Sequence, residues 1–290
     1  MNLRLRLLIL GANGFVGGWL ARLAPAWFDV VGPGARIDVT DPTACLAGIG
    51  PLRPNVVALL AAVSDIDRCE RDPALAESVN VGGAGNVARA CREAGAHLLF
   101  ASSGAIFDGT KSAYTEDDPP CPVSVYGRTK AQGEQAIVAI LPDSVIVRFS
   151  LVLGMAMTPG TNAVTNRLVA AWQQGRTVLL PADEYRNALD VQTVAALFLE
   201  LARNPQAKGV YHVGSANALS RFEIGRTLAD VLGYASSLVA PQIEPPQGRA
   251  PRGRYEFLRP DKIAGICRTA IPTCQSAIRR SAHAIAQSRP

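Results

Sequence analysis

Residues 5–17 read LRLLILGANGFVG: an apolar run from Leu5 to Leu10 that stops at glycine, then two more glycines at intervals of three. The run predicts a short buried strand. Gly14 to Leu23 carries Phe15, Val16, Trp19, Leu20 and Leu23 at helical spacing, which predicts a helix directly after it. Gly11, Gly14 and Gly17 thus stand in a strand–turn–helix setting. Glycine there lets the turn tighten and the backbone approach a pyrophosphate, and the helix N-terminus offers free N–H groups and a partial positive charge. An ordinary tight turn would use the same residues, so the rest of the chain must decide.

Further strands are expected at Asp29–Val31, Val56–Leu60, His97–Ser102 and Val145–Phe149. Helices are expected at 74–94 and at 123–141, the second ended by Pro142. Strand and helix alternate, which predicts an α/β fold: a Rossmann-type doubly wound parallel sheet, with ligands beyond the carboxyl ends of its strands. After Ser150 the rhythm is irregular. Helices are expected at 162–174, 189–203 and 221–232, a strand at 210–213, and a Pro/Gly/Arg-rich loop at 241–260. The expected division is a dinucleotide-binding domain over 1–150, with 187–214 returning to it, and a smaller mixed substrate-binding region over 151–186 and 215–290.

The 290 residues are 48% hydrophobic and 18% charged, the balance of a globular protein with a sizeable core. The longest apolar run, Val56 to Val63, is far too short for a membrane helix, which needs about 20 residues. The opening MNLRLRLLIL lacks a signal peptide's long apolar region, so a cytoplasmic protein is expected. Cys45, Cys69, Cys91, Cys121, Cys267 and Cys274 form no CxxC pair, and His97, His212 and His283 do not cluster with them. No metal site is expected, and scattered thiols fit a reducing compartment. The net charge of +5 is uneven: from Arg249 onward nine Lys/Arg stand against Glu256 and Asp261. That surplus fits an anionic partner near the C-terminal region or a solvated basic tail.

After the second strand, an acid would accept the adenosine ribose 2′-OH and select NAD. Here the chain reads VGPGARIDVTD, with no acid before Asp38, and Arg36 could pair with a 2′-phosphate. The cofactor expected is therefore NADP (NADPH), with NAD as the alternative. Tyr126 and Lys130 in VYGRTK lie four apart and share one helix face. An ammonium beside a phenol favours the phenolate, lowering the Tyr126 pKa and making it a proton donor to a carbonyl oxygen. Ser102 and Ser103 end a predicted strand at its carboxyl edge, where one hydroxyl could hold that oxygen. Together these make a hydride-transfer site.

At this point the chain resembles the extended short-chain dehydrogenase/reductase superfamily, and within it the dTDP-4-dehydrorhamnose reductase family. The resemblance covers about residues 1–235. Its segments are GANGFVG, DVTD around Asp38, AAVSDIDRCERDP, NVGGAGNVA from Asn80, SSGAIFDG from Ser102, VYGRTKAQGEQ, GVYHVGS from Gly209 and SRFEIGRTLADVLG from Ser220. It implies that Gly11, Gly14 and Gly17, with Asn13, Phe15 and Val16, form the pyrophosphate turn. It further implies that Asp38 and Val39 flank the adenine, that Ala61 and Ala62 line the cofactor ribose, and that Asn80 supports the site. Ser103, Tyr126 and Lys130 fall on the family's catalytic positions, Lys130 also holding the nicotinamide ribose. Two departures stand out. Relatives read Ser-Thr-Asp where this chain has Ser102, Ser103, Gly104, so the acid is gone. The C-terminal signature is altered to RGRYEFLRPDKI, with Arg259 where an Asp would fall.

The resemblance implies an NADP(H)-dependent reductase of a keto sugar, in particular a 4-keto-6-deoxy sugar nucleotide. Arg252, Arg254 and Arg259 are the candidates to meet its diphosphate, because guanidinium forks suit phosphate oxygens. Two other outcomes share the fold: an epimerase or dehydratase with tightly held NAD, and a cofactor-binding regulatory subunit such as the one that binds methionine adenosyltransferase. Relatives often dimerise, which leaves a homodimer open. The basic tail has few aromatics for stacking and no nucleic-acid motif, so neither nucleic acid nor membrane is expected as a partner.

Overall fold

The computed structural model describes residues 4–34, 36–161, 163–244 and 246–287. Its strands, in chain order, are β1 (Arg6–Leu10), β2 (Asp29–Val30), β3 (Val56–Leu59), β4 (His97–Ser103), β5 (Val145–Phe149), β6 (Val152–Leu153), β7 (Val178–Pro181), β8 (Tyr185–Arg186), β9 (Leu189–Asp190), β10 (Gly209–Val213), β11 (Leu219–Ser220), β12 (Val239–Gln242) and β13 (Tyr255–Glu256). The helices are α1 (Phe15–Leu23), α2 (Pro42–Ile49), α3 (Ile66–Arg71), α4 (Pro73–Glu77), α5 (Gly83–Ala94), α6 (Val125–Ile140), α7 (Val164–Gln173), α8 (Val191–Arg203), α9 (Arg221–Val231), α10 (Asp261–Ala264) and α11 (Cys274–Gln287).

Six strands form one parallel sheet in the order β10-β5-β4-β3-β1-β2. Both faces are covered, which is why its strands read as continuous apolar runs rather than alternating ones. Leu7 and Ile9 of β1 pack toward α1 and α8, where Leu20, Val194, Phe198 and Leu201 are buried. Leu8 and Leu10 pack the other way, toward Cys45 and Ile49 of α2, Val87 and Cys91 of α5 and Ile137 of α6. The fold is the expected Rossmann-type doubly wound sheet. Its strand order reverses at β1, because the chain goes out to β2 and then returns past β1 to β3. The registers Leu10↔Leu59 and Leu59↔Phe100 bring the carboxyl ends of β1 and β3 level beneath that switch point, where such sheets hold ligands.

Residues after β5 build a second, mixed layer with its own core. Leu153, Leu168, Trp172, Leu180, Ile224, Leu228, Ile278 and Ile285 are buried together. Small sheets knit it: β11-β8-β13, β12-β7 and β6-β9. Trp172 sits in this core with its Nε1 donating to Leu238 O at 3.2 Å.

Three local expectations change. The helix expected over 74–94 is divided: α4, a π turn at Ser78–Gly82, then α5. The wider turn re-aims Asn80, whose amide clamps Val63 through both its N–H and its C=O and reaches Thr129 Oγ1 at 3.0 Å. The expected loop at 241–260 contains the end of β12 and all of β13. Within the basic C-terminal segment, α11 buries Cys274, Ala277, Ile278, Ala282 and Ile285 and exposes Arg279 and Arg280. Part of the basic surplus is thus the solvent face of a packed helix. Asn162, the first residue of the helix expected at 162–174, lies outside the described residues; α7 itself runs Val164–Gln173.

Candidate active site

The glycine turn follows β1 directly. Gly11 adopts φ +97°, a left-handed conformation that side chains resist, and a Cβ there would stand 2.6 Å from the backbone nitrogen of Ala61. Gly17 is tighter: a Cβ would stand 2.1 Å from Gly11 O. Gly14 is the N-cap of α1 and makes no side-chain capping bond, so the first turn keeps its N–H groups for a ligand. Gly11, Gly14, Phe15, Val16, Gly17 and Ala62 line a cleft of about 850 Å³, at the upper end of small-molecule sites. These features fit a dinucleotide pyrophosphate. Asn13 is exposed in the turn itself, and Ala61 packs beneath Gly11.

Around the adenine end the placements are mixed. Arg36 is exposed. Asp38 is exposed too, but its carboxylate accepts from Thr40 N at 2.9 Å and Thr40 Oγ1 at 2.7 Å, hydrogen bonds that hold its pKa below the usual range. Val39 is buried against Gly83, and its carbonyl accepts from Asn86 Nδ2 at 3.0 Å. Asn80 spends its amide on Val63 and Thr129, so it props the loop after β3 and the start of α6 rather than offering that amide to the cleft.

The chemical centre lies at the end of β4 and the start of α6. Ser124 caps α6, accepting from Gly127 N at 3.1 Å, and Glu70 accepts from Val125 N at 2.7 Å, which pins the helix start. Tyr126 and Lys130 follow on one face, and both line the cleft with Ser102 and Ser103. The two serines differ. Ser102 donates to Glu134 and is buried. Ser103 is near enough to the Tyr126 hydroxyl to lower its pKa, and it accepts from Ala105 N at 3.2 Å. Lys130 is buried, with Nζ donating to Ala101 O at 2.6 Å and standing 3.9 Å from the centroid of the Phe100 ring.

Here the expected electrostatics change. Burial pushes the Tyr126 phenol up to about 12, Ser103 opposing, and pushes the Lys130 ammonium down to about 7, Glu134 opposing. In the protein by itself desolvation dominates both groups, so the lowered phenol pKa expected from a four-residue spacing does not arise. Tyr126 is therefore protonated in the protein by itself, so the proton to be donated is in place, although the raised pKa makes it a weaker acid.

Beneath this centre runs a buried network that local sequence reading did not identify. Arg148 of β5 forks onto Glu134 of α6, with Nη2–Oε2 at 2.7 Å and Nε–Oε1 at 3.0 Å, and both residues are buried. Glu134 in turn accepts from Ser102. Arg148 Nη1 lies 3.4 Å from His212 Nε2, and burial, with Arg148 beside it, pushes His212 down to about 3. One sign was visible: Arg148 interrupts the apolar VIVRF, and a charge in a doubly covered strand needs a partner.

The second layer contributes a wall of arginines and carboxylates. Arg186, Arg221, Arg249, Arg252, Arg167 and Glu256 line the cleft. Arg186 is buried; its Nη2 lies 3.5 Å from Glu184 and its Nε 3.4 Å from Glu256. Arg249 forks onto Glu184, and Arg252 onto Asp67 at 2.8 and 3.1 Å. Of the three arginines singled out by sequence, only Arg252 lines the cleft. Arg254 lies exposed over the Tyr255 ring, 5.3 Å from its centroid. Arg259 pairs with Asp261 at 2.7 Å on the surface. Asp65, Asp67 and Glu70 each serve the protein itself: a cap for Arg68 N, a partner for Arg252 and a tie to α6. Among the described residues no His/Cys/Asp/Glu group could hold a metal, and no helix is long and apolar enough to cross a membrane.

Over residues 5–287 the chain matches the protein family described as the RmlD substrate binding domain. It is 30% identical over 261 residues to methionine adenosyltransferase 2 subunit beta of Xenopus laevis, spanning 85% of this chain and 78% of that protein. It is 29% identical over 285 residues to the dTDP-4-dehydrorhamnose reductase of Mycolicibacterium smegmatis, spanning 97% and 86%. The structure of dTDP-4-dehydrorhamnose reductase from Bacillus anthracis str. Ames, in complex with NADP, superposes with a TM-score of 0.88 at 24% identity, over 96% of this chain and 99% of that one, a likeness of fold.

Proposed function

We propose a function from the premise that this chain belongs to the family of the RmlD substrate binding domain, within the extended short-chain dehydrogenases/reductases. It is an NADPH-dependent reductase of a keto sugar, in particular a 4-keto-6-deoxy sugar nucleotide such as dTDP-4-dehydrorhamnose. The observation that carries this reading is the convergence of Ser103, Tyr126 and Lys130 in the cleft lined by Gly11, Gly14 and Gly17.

The residues fit the cofactor: a turn that excludes side chains, an uncapped helix start for the pyrophosphate, and exposed Arg36 for a 2′-phosphate. A nicotinamide cofactor bound there would supply hydride to the carbonyl carbon. Ser103 holds the carbonyl oxygen by hydrogen bond, and Tyr126 hands its proton to that oxygen as negative charge develops there. Lys130, a turn along α6, would hold the nicotinamide ribose, and in its protonated form its charge would favour the phenolate left on Tyr126. Arg252, with Arg186, Arg221 and Arg249, offers a cationic surface for a diphosphate. Arg254 and Arg259 have no part in that surface.

The test is NADPH oxidation with dTDP-4-keto-6-deoxyhexose. Turnover by the native chain and its loss in Tyr126→Phe are expected; turnover only on carbonyls lacking a nucleotide would remove the sugar-nucleotide reading. A second reading is a cofactor-binding regulatory subunit, favoured by the similarity to methionine adenosyltransferase 2 subunit beta. For a regulator, Tyr126→Phe leaves partner binding intact and no substrate consumes NADPH. An epimerase or dehydratase would instead purify with NAD bound and run without added nicotinamide.

A further inference from the structure

Glu256 sits where nothing local in its sequence would place a carboxylate. It ends β13, in the second layer, and its backbone oxygen accepts from Ser150 Oγ at 3.1 Å just beyond β5. Its side chain reaches across to the tip of β4. A Cβ on Gly104 would stand 2.6 Å from Glu256 Cγ and 2.8 Å from Oε1. The carboxylate thus occupies the space that any side chain at position 104 would fill, immediately after Ser103.

Its partners leave it short of donors. Arg186 Nε, 3.4 Å from Oε2, is the one ion-pair partner it has among the described residues, and the side chain is 15% exposed. A carboxylate can accept about four hydrogen bonds, and an unfilled position in a desolvated site is costly to leave open. The other cleft carboxylates are committed: Asp65 to Arg68 N, and Asp67 to Arg252 and Ala250 N. Glu256 also stands close enough to Tyr126 for its charge to push the phenol pKa upward, so the two groups serve the same part of the cleft.

We propose that Glu256 is a specificity-determining residue that accepts a hydrogen bond from a substrate hydroxyl on the carbon next to the carbonyl, selecting α-hydroxy ketones over plain ketones. The inference rests on the reductase reading and narrows its substrate class. With the carbonyl oxygen held between Ser103 and Tyr126, the carboxylate beside Gly104 meets the neighbouring substituent. Burial raises the Glu256 pKa, Arg186 and Arg221 oppose that rise, and the Arg186 contact aims the carboxylate. Position 104 is glycine so that a carboxylate from a different layer can enter.

The experiment compares kcat/KM for dTDP-4-keto-6-deoxyhexose and its 3-deoxy analogue, with NADPH, in the native protein, Glu256→Gln and Gly104→Ala. The ratio of hydroxylated to deoxy substrate is expected to fall about tenfold in Glu256→Gln, the loss of one charge-assisted hydrogen bond. Gly104→Ala should lower the same ratio, because its methyl displaces the carboxylate without removing it. Equal losses on both substrates in both variants would overturn the proposal and leave Glu256 as mere support for Arg186. Absence of turnover of either substrate by the native protein would instead overturn the reductase reading, and the inference with it.

Discussion

The two walls of the cleft are built by opposite means. One is backbone: three glycines, an uncapped helix start and small residues after β1 and β3, all within elements adjacent in sequence or register. The other is a lattice of charged side chains, Arg186, Arg221, Arg249, Arg252, Glu184 and Glu256, drawn from positions as far apart as 184 and 256 and meeting through three short strands and a loop. A backbone wall binds what every dinucleotide shares. A side-chain wall can be re-specified one residue at a time, and its charges depend on one another.

The largest expected effect bears on the centre between the walls. Tyr126→Phe should lower kcat by about 10²–10⁴-fold, the range for removing a positioned proton donor, with NADPH binding retained by fluorescence titration. Retained turnover would detach the chemistry from α6 and break the comparison at its root.

Next in size is the buried pair under the site. Glu134→Ala leaves Arg148 without its fork and should cost about 3–5 kcal/mol in denaturant unfolding, because an uncompensated buried charge remains. The paired Glu134→Leu/Arg148→Met change should recover most of that loss.

Lys130 sharpens the comparison through pH. Its pKa is about 7 in the folded, ligand-free protein against 10.5 unfolded, so between those values the unfolded chain binds the extra proton. Stability therefore rises with pH from about 7 to about 10. Above 10 Tyr126, pushed up to about 12 when folded, acts in the opposite sense: the native state keeps a proton that the unfolded chain sheds. Unfolding curves of the native protein and Lys130→Met should converge upward across pH 7–10; parallel curves would mean that Lys130 keeps its ordinary pKa.

Two smaller effects test the rims. Arg36→Ala should reduce the preference for NADPH over NADH by about tenfold, the weight of one charge-assisted contact with the 2′-phosphate, read as the ratio of kcat/KM values. Arg259→Ala should change stability and KM least of all, within about 0.5 kcal/mol, since an exposed ion pair contributes little. A large effect at Arg259 would extend the charged wall beyond the residues that line the cleft.

Much of the backbone wall was legible. GANGFVG between an apolar run and a helical pattern states its own geometry, because the constraint on glycine is local. Val145–Phe149 likewise announces a doubly covered strand, and Arg148 inside it signals a buried partner without naming Glu134. The π turn around Asn80 was not legible, since one extra residue in a helical repeat leaves the apolar spacing nearly unchanged. The spacing of Tyr126 and Lys130 placed them on one face but not in one dielectric, and burial reversed the direction expected for the phenol.

The amino-acid sequence by itself determined the features that local rules control: the parallel α/β order, the side-chain-free turn, the pairing of phenol and amine on one helix face, and a serine at a strand's end. Tertiary structure alone decided that Ser102 is spent on Glu134 while Ser103 lies by Tyr126, which arginines reach the cleft, and that Glu256 fills the space above Gly104. The physical reason is range. Helical faces and glycine conformations are set by neighbours a few residues away, whereas burial and ion pairing depend on what arrives from another layer of the fold.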